Sequence, residues 1–251
     1  MTTVTEQRIG DIAVLKLCRP QSLNAINQNL VDDLNAALDR IEASDARAFV
    51  LTGEGRAFCA GGDLKAKDDD SARRQRDMHQ LGLRFCSFPK LSVAAVNGLA
   101  RGGGFELAMF CTLRVSSPVA SFGLPEIHRS LMPGYGGTQL LPRLVGREHA
   151  LSLLLTGDPI DAVRAHQIGL ISSIDEDVVA AAVALAGRIS NASALAQQTV
   201  LRAVKEGSEL ALAEAFALEA DLTRMLASQP EAIAASKHFV AALGSGHRHA
   251  D

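Results

Sequence analysis

Leu91-Ser-Val-Ala-Ala-Val-Asn-Gly-Leu-Ala-Arg-Gly-Gly-Gly-Phe-Glu-Leu-Ala-Met-Phe110 places a short apolar run, a glycine turn and the start of a helix in close succession. Leu91 to Val96 follows Pro89 and has the length and unbroken apolarity of a strand buried on both faces. Gly102 to Gly104 open a helix over Phe105 to Phe110, and two β-prone runs follow, at Leu113 to Ser116 and Ala120 to Phe122. Upstream the same grammar holds. Ala48-Phe-Val-Leu-Thr reads as another buried strand, and Ser71 to Phe88 as a helix leading from it into Leu91. Before that, Asn27 is placed as an N-cap for a helix carrying Leu30, Leu34, Ala37, Leu38 and Ile41 at helical spacing. The chain opens on a hairpin, Val4 to Ile9 and Ile12 to Leu17, turned at Gly10-Asp11.

Downstream of Gly136 the character shifts to Ala, Leu and Gln, with helical stretches at 147–155, 161–167, 175–189, 194–206 and 210–226 and no strand after Ile174. The fold class is therefore α/β, divided into a core over residues 1–190 and a helical region over 191–251. The 251 residues are 47% hydrophobic and 21% charged, which excludes wholesale disorder. Twenty-five basic against 28 acidic side chains leave −3, so no overall positive field gathers nucleic acid or anionic lipid. The opening Met-Thr-Thr-Val-Thr-Glu-Gln-Arg has no basic n-region or apolar h-region, and the most apolar helical stretch, Val178 to Gly187, is too short to span a bilayer. A soluble cytoplasmic protein is expected, with no membrane partner.

Cys18, Cys59, Cys86 and Cys111 form no CxxC pair, and His247 and His249 in the tail lack a third ligand, so no metal site is expected. Asp68-Asp-Asp-Ser-Ala-Arg-Arg-Gln-Arg reads as a mobile loop and a solvated helix face. Neither triple-glycine nor Gly134-Tyr-Gly-Gly completes GxGxxG, and GxxxxGK[ST] and GxSxG are absent, which removes dinucleotide, phosphate-loop and serine-hydrolase readings.

What remains is a pair of glycine turns, Phe58-Cys-Ala-Gly-Gly-Asp-Leu and Arg101-Gly-Gly-Gly-Phe-Glu, each a few residues beyond a strand. Convergent backbone N–H groups there could hold a carbonyl oxygen that gains negative charge, although tight turns alone also demand glycine. Glu106 lies in the first turn of a helix, where the helix dipole by itself favours a carboxylate. Glu126 follows Pro125 in Phe122-Gly-Leu-Pro-Glu-Ile, read as extended, with His128 on the same face as a surface residue. Two carboxylates sharing one site would be driven to separate acid and base roles.

Taken together with Leu23-Asn-Ala, Asn97-Gly, Met132-Pro-Gly-Tyr-Gly-Gly-Thr, Thr156-Gly, Ala165 and Gly169-Leu-Ile, these motifs stand in an order that resembles the enoyl-CoA hydratase/isomerase (crotonase) family over roughly residues 5–175. The resemblance implies a crotonase-like spiral of ββα units with a helical C-terminal region that forms trimers and pairs them into hexamers. It implies an acyl-CoA thioester substrate, with coenzyme A entering only as part of it and no separate cofactor. Carried over by position, it implies oxyanion donors at the backbone N–H of Gly62 and Gly103, acid/base glutamates at Glu106 and Glu126, and a coenzyme A site around Ser22, Ala25, Ala60, Gly62, Asp63, Leu64 and Lys65. Both glutamates being present implies an enoyl-CoA hydratase; the alternatives are an enoyl-CoA isomerase, a dehydratase of another acyl-CoA, or a non-catalytic acyl-CoA-binding protein. The chain departs from the family pattern at Cys111-Thr112, at Ser130 and at Ala234-Ala-Ser-Lys-His-Phe, which leaves acyl length and the inter-subunit part of the coenzyme A site open.

Overall fold

The structure is a computed structural model that describes residues 2–65 and 71–246, with side chains through residue 240. The acidic run at Asp68 to Asp70 and the tail residues His247 and His249 lie outside the described residues. By Cα proximity the chain divides into two compact units, Met1–Asn191 and Ala192–Asp251.

In the first unit, β1 (Val4–Ile9) and β2 (Ile12–Leu17) form the expected antiparallel hairpin, Ile9 opposite Ile12. Asn27 caps α1 (Gln28–Ala43) by accepting from the Leu30 N–H, and Leu30, Leu34, Leu38 and Ile41 are buried along its inner face. Three successive ββα units then follow: β3 (Ala48–Gly53), β4 (Ala57–Cys59) and α2 (Ser71–Ser87); β5 (Leu91–Val96), β6 (Leu99–Arg101) and α3 (Gly103–Phe110); β7 (Leu113–Ser116), β8 (Ser121–Gly123) and α4 (Gly137–Val145). The first strand of each unit joins a five-stranded sheet ordered β1-β2-β3-β5-β7. The second joins a four-stranded sheet ordered β4-β6-β8-β9, where β9 is Ile160–Asp161. Within both sheets the repeated strands are parallel, so each unit advances the chain by one strand in each layer. This is the spiral of ββα units that the motif order implied.

The central strands are apolar throughout because both of their faces are covered. Alternate residues part company: Ala13, Leu15, Phe49, Leu51, Ala94 and Val96 pack into the larger core, whereas Ile12, Val14, Ala48, Val50, Val93 and Ala95 face a second cluster. α7 (Val178–Ser190) supplies Val178, Ala182 and Ala186 to that second cluster, which explains its apolar sequence without a membrane. Among the described residues, no single helix is long and apolar enough to cross one.

Several expectations are corrected. β4 and β6, of three residues each, and β9, of two, escaped the sequence reading because so short a run has no periodicity. α4 also went unread, since it starts at Gly137 and contains Pro142. α3 begins one glycine after Gly102, taking Gly103 and Gly104 into the helix. α5 (Arg147–Thr156) and α6 (Ala162–Gln167) fall where expected, and the Asp161 side chain caps the second of them. The second unit holds α8 (Ala194–Gly207), α9 (Leu212–Ala227) and α10 (Pro230–Gly246), with an apolar cavity of about 420 Å³ between the first two, lined by Val200, Val204, Leu222 and Leu226 among others.

Candidate active site

The site is assembled where β4 and β6 end side by side. Gly61, with φ +96°, turns the chain after β4, and Gly102, with φ +48°, turns it after β6. A methyl group on Gly61 would stand 2.8 Å from the Arg101 carbonyl oxygen and 3.4 Å from the Gly103 nitrogen, so the two turns are in contact. The first turn is fixed by hydrogen bonds from Ile26 N–H to Gly61 O (2.8 Å), Asp63 N–H to Ile26 O (2.8 Å) and Ala60 N–H to Leu23 O (2.9 Å), which leave the Gly62 N–H out. Gly103 is the first residue of α3, where a helix offers its N–H no intrahelical acceptor. α3 approaches β4 so closely that a methyl on Gly104 would lie 2.1 Å from the Cys59 carbonyl oxygen. Glycine is needed at 104 for this packing, independently of any chemistry at 103.

Glu106, on the first turn of α3, is 1% exposed. Its Oε1 accepts two backbone hydrogen bonds, from Tyr135 N–H at 2.8 Å and Gly137 N–H at 2.7 Å. Burial pushes its carboxyl up to about 7; the two N–H donors pull the other way, and the charge of Glu126 adds to the rise. Glu126 is thus close enough to be felt electrostatically, and the sequence reading that the two carboxylates share a site agrees with this placement.

The expectation of an extended segment around Glu126 is corrected. Pro125–Arg129 is a 3-10 turn with Glu126 in its first turn, and Ser130 closes it at φ +55°. Three residues per turn put His128 on a different face from Glu126, so the two do not point the same way. His128 is exposed. Glu126 reaches back to the glycine turn: its Oε1 would be 2.5 Å from a methyl on Gly102. Its Oε2 is buried with no hydrogen-bond partner, and burial raises its carboxyl, against the pull of its own backbone N–H and of Arg129.

The residues assigned to coenzyme A line a neighbouring stretch. Ser22 ends a 3-10 turn, Pro20–Ser22, and its carbonyl accepts from Ala25 N–H at 3.0 Å. Ala25 is buried, Ala60 and Asp63 are half-buried, and Leu64 (75% exposed) and Lys65 reach solvent. Burial disfavours the Asp63 charge, but an ion pair with Arg19 at 2.8 Å, the Lys65 N–H and the charge of Arg74 outweigh it and hold the carboxyl below its ordinary range.

Two side chains at the site went unassigned. Tyr135 lies inside a quoted motif, and its ring occupies the space a side chain at Gly103 would need, 2.5 Å from such a methyl to Cε2. Arg74 belongs to a run of arginines expected to be solvated. Arg73 and Arg76 are exposed, but Arg74 is 8% exposed and its Nε points to the Tyr135 hydroxyl at 3.4 Å. Only helical phase, with Arg74 four residues before the buried Met78, distinguishes it from its neighbours.

Comparisons with known proteins identify the family. The enoyl-CoA hydratase/isomerase family profile matches residues 7–241. The chain is 37% identical to crotonyl-CoA hydratase of Syntrophomonas wolfei over 218 residues, 84% of each chain. It is 38% identical to 2,3-dehydroadipyl-CoA hydratase of Escherichia coli over 236 residues, 91% of each. Its fold superposes on the crystal structure of enoyl-CoA hydratase from Bacillus anthracis with a TM-score of 0.90 at 27% identity, covering 94% of this chain and 95% of that one. With the profile spanning both glycine turns and both glutamates, the chain belongs to the enoyl-CoA hydratase/isomerase family.

Proposed function

We propose that the protein adds water across the 2,3-double bond of a 2-enoyl-CoA thioester. The observation that carries this reading is the meeting of two carboxylates, the buried Glu106 and the half-buried Glu126, at paired glycine turns. The thioester oxygen accepts hydrogen bonds from the Gly62 and Gly103 N–H groups, and the negative charge that develops as water attacks C3 settles there. A preorganised donor of this kind is worth about 3 kcal/mol of barrier. Glu106 takes the proton from the attacking water. Its Oε1 is committed to two N–H donors, an arrangement suited to the ionised form. Glu126 gives a proton to C2, a role that fits a buried Oε2 with no acceptor of its own to satisfy. One carboxyl gains the proton the other loses, so transfer between them or through solvent completes the cycle. The chemistry drawn uses no cofactor beyond the coenzyme A carried by the substrate.

The nucleotide and pantetheine are assigned to Ser22, Ala25, Ala60, Gly62, Asp63, Leu64 and Lys65. The exposure of Leu64 and Lys65 beside the Gly61 turn supports this, as the long coenzyme A moiety must enter from solvent. Assembly into trimers or hexamers and a cytoplasmic setting complete the proposal; the free thiols of Cys18 and Cys59 fit a reducing compartment. A panel of 2-enoyl-CoA and 3-enoyl-CoA thioesters, followed by absorbance of the conjugated thioester, tests the reaction. Loss of absorbance from 2-enoyl substrates supports hydration. Gain of absorbance from 3-enoyl substrates without such loss would make it an isomerase, and no change with either would favour the binding-protein alternative.

A further inference from the structure

Among the described residues, Arg74 is a cation without a dedicated counterion. It is 8% exposed, and its Nη1 is buried with no hydrogen-bond partner. Its Nε reaches the Tyr135 hydroxyl at 3.4 Å, the long end of a hydrogen bond to a neutral group. Among the described residues no carboxylate stands within ion-pair distance of it. Asp63 senses its charge, but that carboxylate is already engaged, Oδ2 by Arg19 at 2.8 Å and Oδ1 by the Lys65 N–H at 3.0 Å. Taking a guanidinium out of water costs several kcal/mol unless a paired, hydrogen-bonded anion offsets it. One weak bond to a tyrosine leaves most of that cost standing, so the free protein presents a binding site for an anion.

Tyr135 says where that anion belongs. Its backbone N–H is held by Glu106, its ring lies against Gly103, and its hydroxyl lies 3.4 Å from where a methyl on Gly62 would stand. Arg74 is therefore one tyrosine side chain removed from the reacting atoms, on the inside of the protein. Coenzyme A phosphates, assigned above to the exposed stretch at Leu64 and Lys65, do not fit a buried position of this kind; a charged group on the acyl chain does. Guanidinium and carboxylate match in a planar, two-point geometry that an ammonium or hydroxyl would not reproduce.

We propose that Arg74, assisted by the Tyr135 hydroxyl, binds a carboxylate at the far end of the acyl chain, so that the preferred substrate is the mono-CoA thioester of a short unsaturated dicarboxylic acid. This rests on the hydration reading for its chemistry but not for its binding. The test compares kcat/KM for the mono-CoA thioesters of 2-pentenedioic and 2-hexenedioic acids with 2-pentenoyl-CoA and 2-hexenoyl-CoA. Wild type should favour at least one diacid over its plain counterpart by about 100-fold, because a site built for a charged partner rejects analogues that leave its polar groups unpaired. Arg74→Met should erase that ratio and Arg74→Lys restore part of it. Calorimetric binding of glutaryl-CoA and adipyl-CoA against pentanoyl-CoA and hexanoyl-CoA to wild type needs neither turnover nor a variant. Tighter binding of a carboxylated thioester with no hydration would uphold the Arg74 site and sink the hydration reading. Hydration of plain enoyl-CoA with no carboxylate preference in either assay would do the reverse. A preference that survives in Arg74→Met would place the carboxylate elsewhere and overturn the proposal.

Discussion

Glu106 and Glu126 are the same residue type held in two different ways, and their predicted behaviour differs accordingly. Glu106→Gln should reduce hydration by about 100-fold or more, the usual loss on removing a general base, while leaving some exchange of C2 protons with solvent. Glu126→Gln should suppress both hydration and exchange. Deuterium uptake at C2 of a saturated acyl-CoA, alongside hydration rates, checks this, and the opposite pattern would reverse the two roles. The raised Glu106 carboxyl also has a stability consequence. It titrates at about 7 when folded against an ordinary 4.5. Below the ordinary value both states hold the proton and nothing is lost. Between the two values only the folded chain does, so stability falls as pH rises through that window, by about 3 kcal/mol in all. Urea midpoints at about pH 5 and about pH 8 should show this fall in wild type and a clearly smaller one in Glu106→Gln, where Glu126 alone is still raised. Because hydration needs Glu106 ionised and Glu126 protonated, kcat/KM should pass through a maximum, rising as Glu106 loses its proton and falling as Glu126 loses its own. Both glutamates could be picked from the sequence by their places beside glycine and proline turns. Arg74 could not, because its sequence neighbours are alike in charge and only the packing of α2 sets it apart.

At the scale of elements, the site depends on α3 starting hard against β4. Gly104→Ala pushes a methyl into the Cys59 carbonyl, 2.1 Å away, and should cost about 1–3 kcal/mol of stability, read as a lower urea midpoint, by forcing backbone apart. Gly103→Val meets the Tyr135 ring instead and should abolish turnover, while calorimetry still registers coenzyme A binding through residues away from the turn. Normal turnover in Gly103→Val would remove this N–H from the mechanism. The long strands and capped helices were legible because each carries its own signal: Asn27 ahead of α1, the Gly10-Asp11 turn in the hairpin, unbroken apolarity in β3 and β5. The four-stranded sheet was mostly invisible. Its strands are two or three residues long, and each exists because the neighbouring unit supplies a partner, a non-local cause that local pattern does not record. The 3-10 turn at Glu126 was missed for a related reason, since Pro125 is as compatible with an extended segment as with the first turn of a helix.

At the scale of the whole molecule, α8, α9 and α10 leave large apolar side chains in solvent, among them Val200, Val204, Leu212, Phe216 and Phe239. Exposed apolar surface of this kind is what the proposed assembly would cover. Sedimentation at micromolar concentration should accordingly give a trimer or hexamer, and a species of only 26.5 kDa would contradict that assembly. The helical character of this region was plain from its Ala and Leu content, but which of its faces stay uncovered required the fold. The most direct test incubates a 2-enoyl-CoA thioester in heavy-oxygen water with wild type, Glu106→Gln and Glu126→Gln, and follows the mass of the thioester. The account predicts a 3-hydroxyacyl-CoA carrying one heavy oxygen from wild type and almost none from either variant. Unchanged thioester from wild type, or equal labelling by all three proteins, would contradict it.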